Sequence, residues 1–393
     1  MNEVFLVSAA RAPIGSFGGS LKDFTPGDIG ALVAKAAIAR AGIEADLVAN
    51  VVFGSVIPTI PGDAYVARIA AMGAGIPKEA PALTVNRLCG SGMQAIVSAA
   101  QSILLGDYGI GLAGGTEIMS RAPYFAQGVR WGQKMGDTAM LDGLTGALTD
   151  PFHAYHMGMT AENVAQEYGI SRQDQDELAL ESQRRAAHAI AQGRFVDQIV
   201  PVDITIKRKA VTFDTDEYVR VDATAEDFAG LRPVFKKDGG TVTAGNASGI
   251  NDGAAAMILA SGQAVKDHGL TPLARLVSYG HAGVDPAFMG VGPVPATRNA
   301  LAKAGLSVSD LDVIESNEAF AAQACAVTRA LSLDPAKVNP NGSGISLGHP
   351  IGATGAIIVT KLAYELQRTG GRFGLATMCI GGGQGISTIW ERT

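Results

Sequence analysis

Three short segments of the chain carry residues able to do nucleophilic and proton-transfer chemistry. Cys89 lies in Asn86-Arg87-Leu88-Cys89-Gly90-Ser91-Gly92, just before an apolar run. A thiol at a helix start feels the positive end of the helix dipole, which lowers its pKa and favours the nucleophilic thiolate. The small residues after it allow a tight turn and close approach of a ligand. A buried structural cysteine is the plainer alternative. His349 lies in Gly348-His349-Pro350-Ile351-Gly352-Ala353-Thr354-Gly355. It could serve a thiol as general base. A capping histidine, with Pro350 at a first helical position, is the competing reading. Cys379 lies in Met378-Cys379-Ile380-Gly381-Gly382-Gly383-Gln384-Gly385, at the end of an apolar run. The glycine loop that follows packs a core poorly and offers backbone N–H groups to an oxyanion. Asn317-Glu318-Ala319-Phe320 follows an apolar run at 312–315. A polar pair at the C-terminal end of a strand is where α/β folds place sites. Cys325, within Ala-rich sequence, reads as core, and His156-Met157-Gly158-Met159 as pocket lining or plain loop.

Segments this far apart need a scaffold to meet. Short apolar runs at 4–9, 51–53 and 110–113 read as strands, and 28–40 and 92–105 read as helices stopping at Gly42 and Gly106. Alternating strands and helices imply a layered α/β fold with largely parallel strands. The sequence also repeats. Ala41-Gly42-Ile43 followed by Asp46-Leu47 and Val51-Val52 recurs as Ala304-Gly305-Leu306, Asp310-Leu311 and Val313-Ile314, with Gly42 and Gly305 separated by 263 residues. Gly111-Leu112-Ala113 recurs as Gly374-Leu375-Ala376 at the same 263-residue offset, and Leu6-Val7-Ser8 as Leu276-Val277-Ser278 at 270. Repeats in constant order indicate two similar halves. We read them as 1–119 and 272–393, with 251–271 completing the first, and 120–250 as an inserted loop domain. The offset sets Asn86 against His349, so Cys89 and His349 fall at matching turns of the two halves.

Composition bounds the rest. The chain has 393 residues, 17% of them charged, which excludes a disordered polymer. Its net charge of −6 argues against a nucleic-acid binder. Three cysteines make a poor disulfide framework, and no CxxC or Cys/His spacing suggests zinc. No run of some 18 uncharged apolar residues suggests a membrane span. Met1-Asn2-Glu3 lacks the basic start of a signal peptide, so a soluble, cytoplasmic protein is expected.

Segments 86–92, 317–320, 348–355 and 379–385, occurring in that order, resemble the four active-site signatures of thiolases. The resemblance covers the whole chain. Within the family the sequence is similar to bacterial acetyl-CoA acetyltransferases and to broad-range β-ketothiolases that feed polyhydroxyalkanoate synthesis. It implies the thiolase fold, with duplicated βαβαβαββ halves in five α-β-α-β-α layers and a loop domain for CoA binding and tetramerisation. It implies an acyltransferase that reversibly condenses acetyl-CoA with acetyl-CoA or a short-chain acyl-CoA, giving a 3-ketoacyl-CoA and CoA. Cys89 would be acylated, His349 would take its proton, and Cys379 would deprotonate the second acetyl group. His349 and a water on Asn317 would form one oxyanion hole, and the N–H groups of Cys89 and Gly381 a second. CoA would meet Ser248, Ala244, His156, Met157, Arg220 and Phe235, with positive charge from Arg220 and the 207–209 run. Met289, Phe320 and Leu88 would wall the acyl pocket. No metal or redox cofactor is implied, and segment 119–148 resembles a tetramerisation loop, implying a homotetramer. A decarboxylating ketoacyl synthase shares the duplicated architecture but usually pairs cysteine with two histidines. An acyl-CoA-binding module would not need Cys89, His349, Cys379 and Asn317 together.

Overall fold

The computed structural model describes residues 3–393. Met1 and Asn2, on which the reading of the N-terminus partly rested, lie outside the described residues. The main strands are β1 (Val4–Arg11), β2 (Asn50–Gly54), β3 (Ala82–Val85), β4 (Ile110–Ile118), β5 (Asn251–Ser261), β6 (Ala274–Gly283), β7 (Val313–Ser316), β8 (Phe373–Ile380) and β9 (Gln384–Arg392). They pair in the order β7-β8-β9-β6-β1-β5-β4-β2-β3, and Gly15–Ser16 adds a short pairing to β5.

The strand order is a palindrome of two halves. In the first, β1 pairs antiparallel with β5, β5 antiparallel with β4, and β4 parallel with β2. In the second, β6 pairs antiparallel with β9, β9 antiparallel with β8, and β8 parallel with β7. Two residue pairs, Phe5 with Arg275 and Leu6 with Ala274, join the halves. Details repeat as well. The ladder slips between Leu6 and Ser8 in β1 and between Leu276 and Ser278 in β6, so both halves carry an irregularity at the repeated Leu-Val-Ser. Helix α1 (Pro26–Ala41) ends at Gly42 with φ +67°, and its counterpart Pro293–Ala304 ends at Gly305 with φ +66°. Only a residue without Cβ takes that conformation freely, which is why the repeat is legible at those glycines.

The expectation of largely parallel strands is corrected by these pairings. Parallel pairs are confined to β2 with β3 and β4, and β7 with β8. The cause is connectivity. Strand β5 returns from the 120–250 excursion antiparallel to both β1 and β4, and the Gly381-Gly382-Gly383 turn makes β8 and β9 a hairpin.

Three apolar cores account for five layers. One lies between α1, α2 (Val66–Gly73) and the outer face of the first half-sheet. A second lies against the outer face of the other half-sheet, with helices Pro293–Ala304 and Ala321–Leu331. The central core holds the helices Ser91–Leu105 and Ile351–Thr369 packed between the sheets. These two helices meet backbone to backbone. A Cβ on Gly92 would lie 2.8 Å from Ala356 N, and one on Gly355 only 2.2 Å from Met93 N. The stretch Leu88–Leu105 is long and apolar enough to cross a membrane, against the sequence expectation, but more than half of it is buried in this central layer.

The excursion holds helices Met157–Glu167 and Arg172–Ala191 and two small hairpins that sequence periodicity did not reveal. One pairs Tyr124–Ala126 with Met140–Asp142, and the other pairs Val202–Ile206 with Lys209–Phe213.

Candidate active site

The nucleophile turn is shaped by its sequence. Leu88 sits at φ +46°, in the left-handed region that costs a branched side chain strain. Ser91 Oγ holds it there, accepting from the Arg87 N–H at 2.9 Å and donating to the Leu88 carbonyl at 2.6 Å. Gly90 permits contact with the end of β8, since a Cβ there would lie 2.5 Å from Ile380 Cδ1. Cys89 is thus left half-buried just before the helix Ser91–Leu105, facing a cavity. The expected lowering of its pKa is corrected: burial pushes the thiol up, while the N–H groups of Gly381 and of Cys89 itself pull it back. Packing against distant segments outweighs the helix end here. Cys89 therefore rests as a thiol and would need a base to act as a nucleophile.

His349 lines the same cavity. His349 is buried, and burial holds its pKa down at about 4, so it is neutral near pH 7. Its backbone N–H donates to Asn251 Oδ1 at 3.0 Å, and Nδ1 lies 2.7 Å from Thr354 Oγ1. Gly348, at φ +112°, makes room for Asn251, whose Cγ would lie 2.5 Å from a Cβ. His349 follows the short helix Gly344–Leu347 rather than a strand, so the two turns match in position but not in what precedes them. Asn317 Nδ2 lies 3.5 Å from His349 Nε2, and Asn317 Oδ1 is buried without a hydrogen-bond partner. Cys379 is fully buried near the end of β8, paired in register with Gly385. Burial, and the neighbouring Cys89, raise its pKa far above the ordinary thiol value.

Leu88, Cys89, His156, Met157, Phe235, Ala244, Ser248, Met289, Phe320, His349 and Gly381 line a single cavity of about 420 Å³. Asn317 and Cys379 stand behind its wall, Asn317 against the His349 ring. His156 stacks on Phe235 with centroids 4.7 Å apart, and Phe320 meets Phe235 edge-on at 6.4 Å. The loop carrying Ala244 and Ser248 is stitched to the loop carrying Asn317. Ser248 N–H donates to the Ala319 carbonyl at 3.0 Å, and Ala321 N–H to the Asn246 carbonyl at 2.8 Å. Arg220 is exposed and lies outside this cavity, in a shallow hollow with Ala223 and Phe228. Lys207 and Arg208 form the tip of a hairpin at positive φ, and Lys207 faces another hollow with Gly18 and Phe24. The 207–209 run therefore does not line the cavity.

Sequence reasoning passed over Tyr218 and Ile250 in the cavity wall, and Asn251, Thr354 and Glu117 behind it. Glu117 ends the Gly114-Gly115-Thr116-Glu117 run at the C-terminal end of β4, the same signal that singled out Asn317. Among the described residues no cluster of three or more His, Cys, Asp or Glu is placed to hold a metal ion.

A half-buried cysteine beside a buried neutral histidine, with a second cysteine and an asparagine behind, is an acyl-transfer constellation on a duplicated scaffold. The chain matches the models of the thiolase N-terminal domain over residues 4–263 and of the thiolase C-terminal domain over 270–392. It belongs to the thiolase family, and like other thiolases it is an acyltransferase. It is 65% identical over 390 residues to the beta-ketothiolase BktB of Cupriavidus necator, covering 99% of both chains. It is 52% identical to an acetyl-CoA acetyltransferase of Syntrophomonas wolfei, again covering 99% of each. Its structure superposes on that of human mitochondrial 3-ketoacyl-CoA thiolase with a TM-score of 0.98, at 49% identity, covering 100% of this chain and 99% of the other.

Proposed function

We propose that this thiolase is a β-ketothiolase working by a ping-pong reaction on Cys89, with acetyl-CoA and short-chain acyl-CoA as substrates. The observation that carries the reading is the convergence of Cys89, His349 and the N–H of Gly381 on one apolar cavity. His349 takes the Cys89 proton as the sulfur attacks the acyl-CoA carbonyl. The N–H groups of Cys89 and Gly381 stabilise the oxyanion, and CoA leaves as a thiol with the proton from His349. The freed His349 next takes the Cys379 proton, and the Cys379 thiolate removes a proton from the methyl carbon of a second acetyl-CoA, whose enolate oxygen is held by the protonated His349 and a water on Asn317. The buried, unpartnered Asn317 Oδ1 suits such a water. The carbanion attacks the acyl-Cys89 thioester, the C–S bond to Cys89 breaks, the Cys89 thiolate recovers its proton from His349, and the 3-ketoacyl-CoA leaves.

CoA runs along Ser248, Ala244, His156, Met157 and Phe235, with Arg220 outside the mouth near the adenosine phosphates. Support comes from the width and apolar lining of the cavity, from the small residues 243–249 that let a thin pantetheine approach the backbone, and from the human mitochondrial 3-ketoacyl-CoA thiolase solved in complex with CoA, at TM-score 0.97 and 48% identity. Leu88, Met289 and Phe320 wall the acyl end. Residues 120–250 form a loop domain serving CoA binding and tetramer formation between halves 1–119 with 251–271 and 272–393. The exposed Tyr124, Trp131, Met135 and Met140 suit a homotetramer contact. Supply of ketoacyl-CoA for polyhydroxyalkanoate synthesis in the cytoplasm fits the likeness to the C. necator β-ketothiolase. Initial rates of thiolysis, with ketoacyl-CoA and CoA both varied, test the reading. Parallel double-reciprocal lines are expected, and intersecting lines contradict the ping-pong order.

A further inference from the structure

Glu117 is fully buried, yet no step above uses it. It is the penultimate residue of β4, in the nucleophile's half. Its Oε1 accepts the Ile57 N–H at 3.0 Å, and its Oε2 accepts the Val56 N–H at 3.0 Å and the Gly352 N–H at 2.9 Å. The first two donors belong to the loop after β2, and the third belongs to the first turn of the helix Ile351–Thr369 in the other half. Gly352 is a glycine for this reason: a Cβ there would stand 2.4 Å from Glu117 Oε2. His349 is three residues before Gly352, and its side chain is tied into the same first turn through Thr354. A buried carboxyl group whose two oxygens accept three N–H bonds, one of them from a helix start, is an anchor with no slack. Few polar ties cross from one half to the other so close to the reacting groups, and this one ends where the base begins.

We propose that Glu117 is a positioning residue for acyl transfer. It locks the start of the base-bearing helix onto the nucleophile's half and thereby sets His349 relative to Cys89. The inference rests on the β-ketothiolase reading and adds a residue to it. Glu117 does not touch the CoA cavity, so its loss acts on the chemical step and not on substrate binding.

Electrostatics supplies a separate readout. Burial raises the Glu117 carboxyl to about 8, with Asp252 on the adjoining strand adding to the shift. Burial raises the Cys89 thiol above its ordinary value, and the Glu117 charge contributes to that rise. The Glu117 carboxylate, once ionised, therefore opposes ionisation of the Cys89 thiol. The other titratable neighbours are Cys379, whose thiol burial holds protonated, and His349, which burial keeps neutral. Replacing Glu117 by a neutral isostere lowers the pH at which Cys89 ionises.

The test uses the full-length enzyme with Glu117→Gln and Glu117→Asp. The glutamine keeps the shape but turns one oxygen into an NH₂ facing N–H donors. Expected for E117Q are a fall in kcat of tenfold or more, a KM for acetyl-CoA within twofold of wild type, and a pH midpoint for Cys89 alkylation by iodoacetamide below wild type. Expected for E117D, which keeps the charge but cannot span all three donors, are a reduced kcat with the alkylation midpoint of wild type. If E117Q does not fold, E117D decides the matter by the same two readouts. Wild-type kcat in either variant overturns the proposal, and so does a KM that rises as much as kcat falls. An E117Q alkylation midpoint that does not move also overturns it, since a merely structural tie would leave the thiol unchanged. Alkylation needs no turnover. A shifted midpoint in a protein whose wild type never acquires an acyl group would therefore indict the thiolase reading and not this one.

Discussion

The two central-layer helices, Ser91–Leu105 and Ile351–Thr369, occupy equivalent places in the two halves, yet the turns that precede them have been put to opposite uses. The first leaves Cys89 half-exposed to the cavity behind a strained Leu88. The second buries His349 and anchors it through Asn251, Thr354 and Asn317. A nucleophile must meet the substrate, so its turn is open and its backbone donors face the sulfur. A base must stay neutral and oriented, so its turn is closed and polar groups hold it. Desolvation acts on both: near neutral pH it keeps the thiol protonated and the imidazole unprotonated.

The largest test of that division removes the nucleophile. Cys89→Ala should lower condensation and thiolysis by about four orders of magnitude or more, as for the loss of a covalent nucleophile elsewhere. Residual turnover at a few per cent would break the comparison outright. Next comes the second cysteine. Cys379→Ala should lower condensation by about 10²–10⁴-fold, the range for a general base, while Cys89 still becomes acylated. Equal loss of acylation and condensation would place Cys379 in the wrong step. Asn317→Ala should cost about 3 kcal/mol, roughly a hundredfold in synthetic rate, with acyl-enzyme formation intact. Full synthetic rate in that variant would remove Asn317 from the oxyanion hole.

Two smaller effects bear on stability. A folded-state pKa near 4 against ~6.5 unfolded means that the unfolded chain takes the His349 proton first. Stability should therefore fall as pH drops from about 6.5 to about 4, by about 3 kcal/mol from this group. Denaturant titrations of wild type and His349→Asn across that window should diverge, and parallel curves would mean the imidazole is not buried neutral. At the helix contact, Gly355→Ala and Gly92→Ala should each destabilise by about 1–3 kcal/mol through overpacking, with Gly355 the worse because its Cβ meets Met93 N at 2.2 Å.

How much was legible in the sequence follows from where each feature is decided. Cys89, His349, Cys379 and Asn317 stood out because small residues and glycines mark the turns that bring backbone close, and those turns are local. The duplication was legible at Gly42 and Gly305, where a left-handed residue ends each helix. Strand direction was misjudged because β5 enters the sheet from a distant segment, and no periodicity within it reveals its partners. The thiol's pKa was misjudged for a like reason. The helix end is visible in sequence, but the burial that outweighs it comes from residues far along the chain. Glu117 and Asn251 were passed over because their partners, Gly352 and His349, sit in the other half.

Intact mass after mixing with acetyl-CoA, for wild type and Cys89→Ala, tests the central claim most directly. One acetyl group per chain on wild type and none on the variant is the predicted result. No acetyl group on wild type, or an equal gain on both proteins, would contradict the assignment of Cys89 as the residue that carries the acyl group.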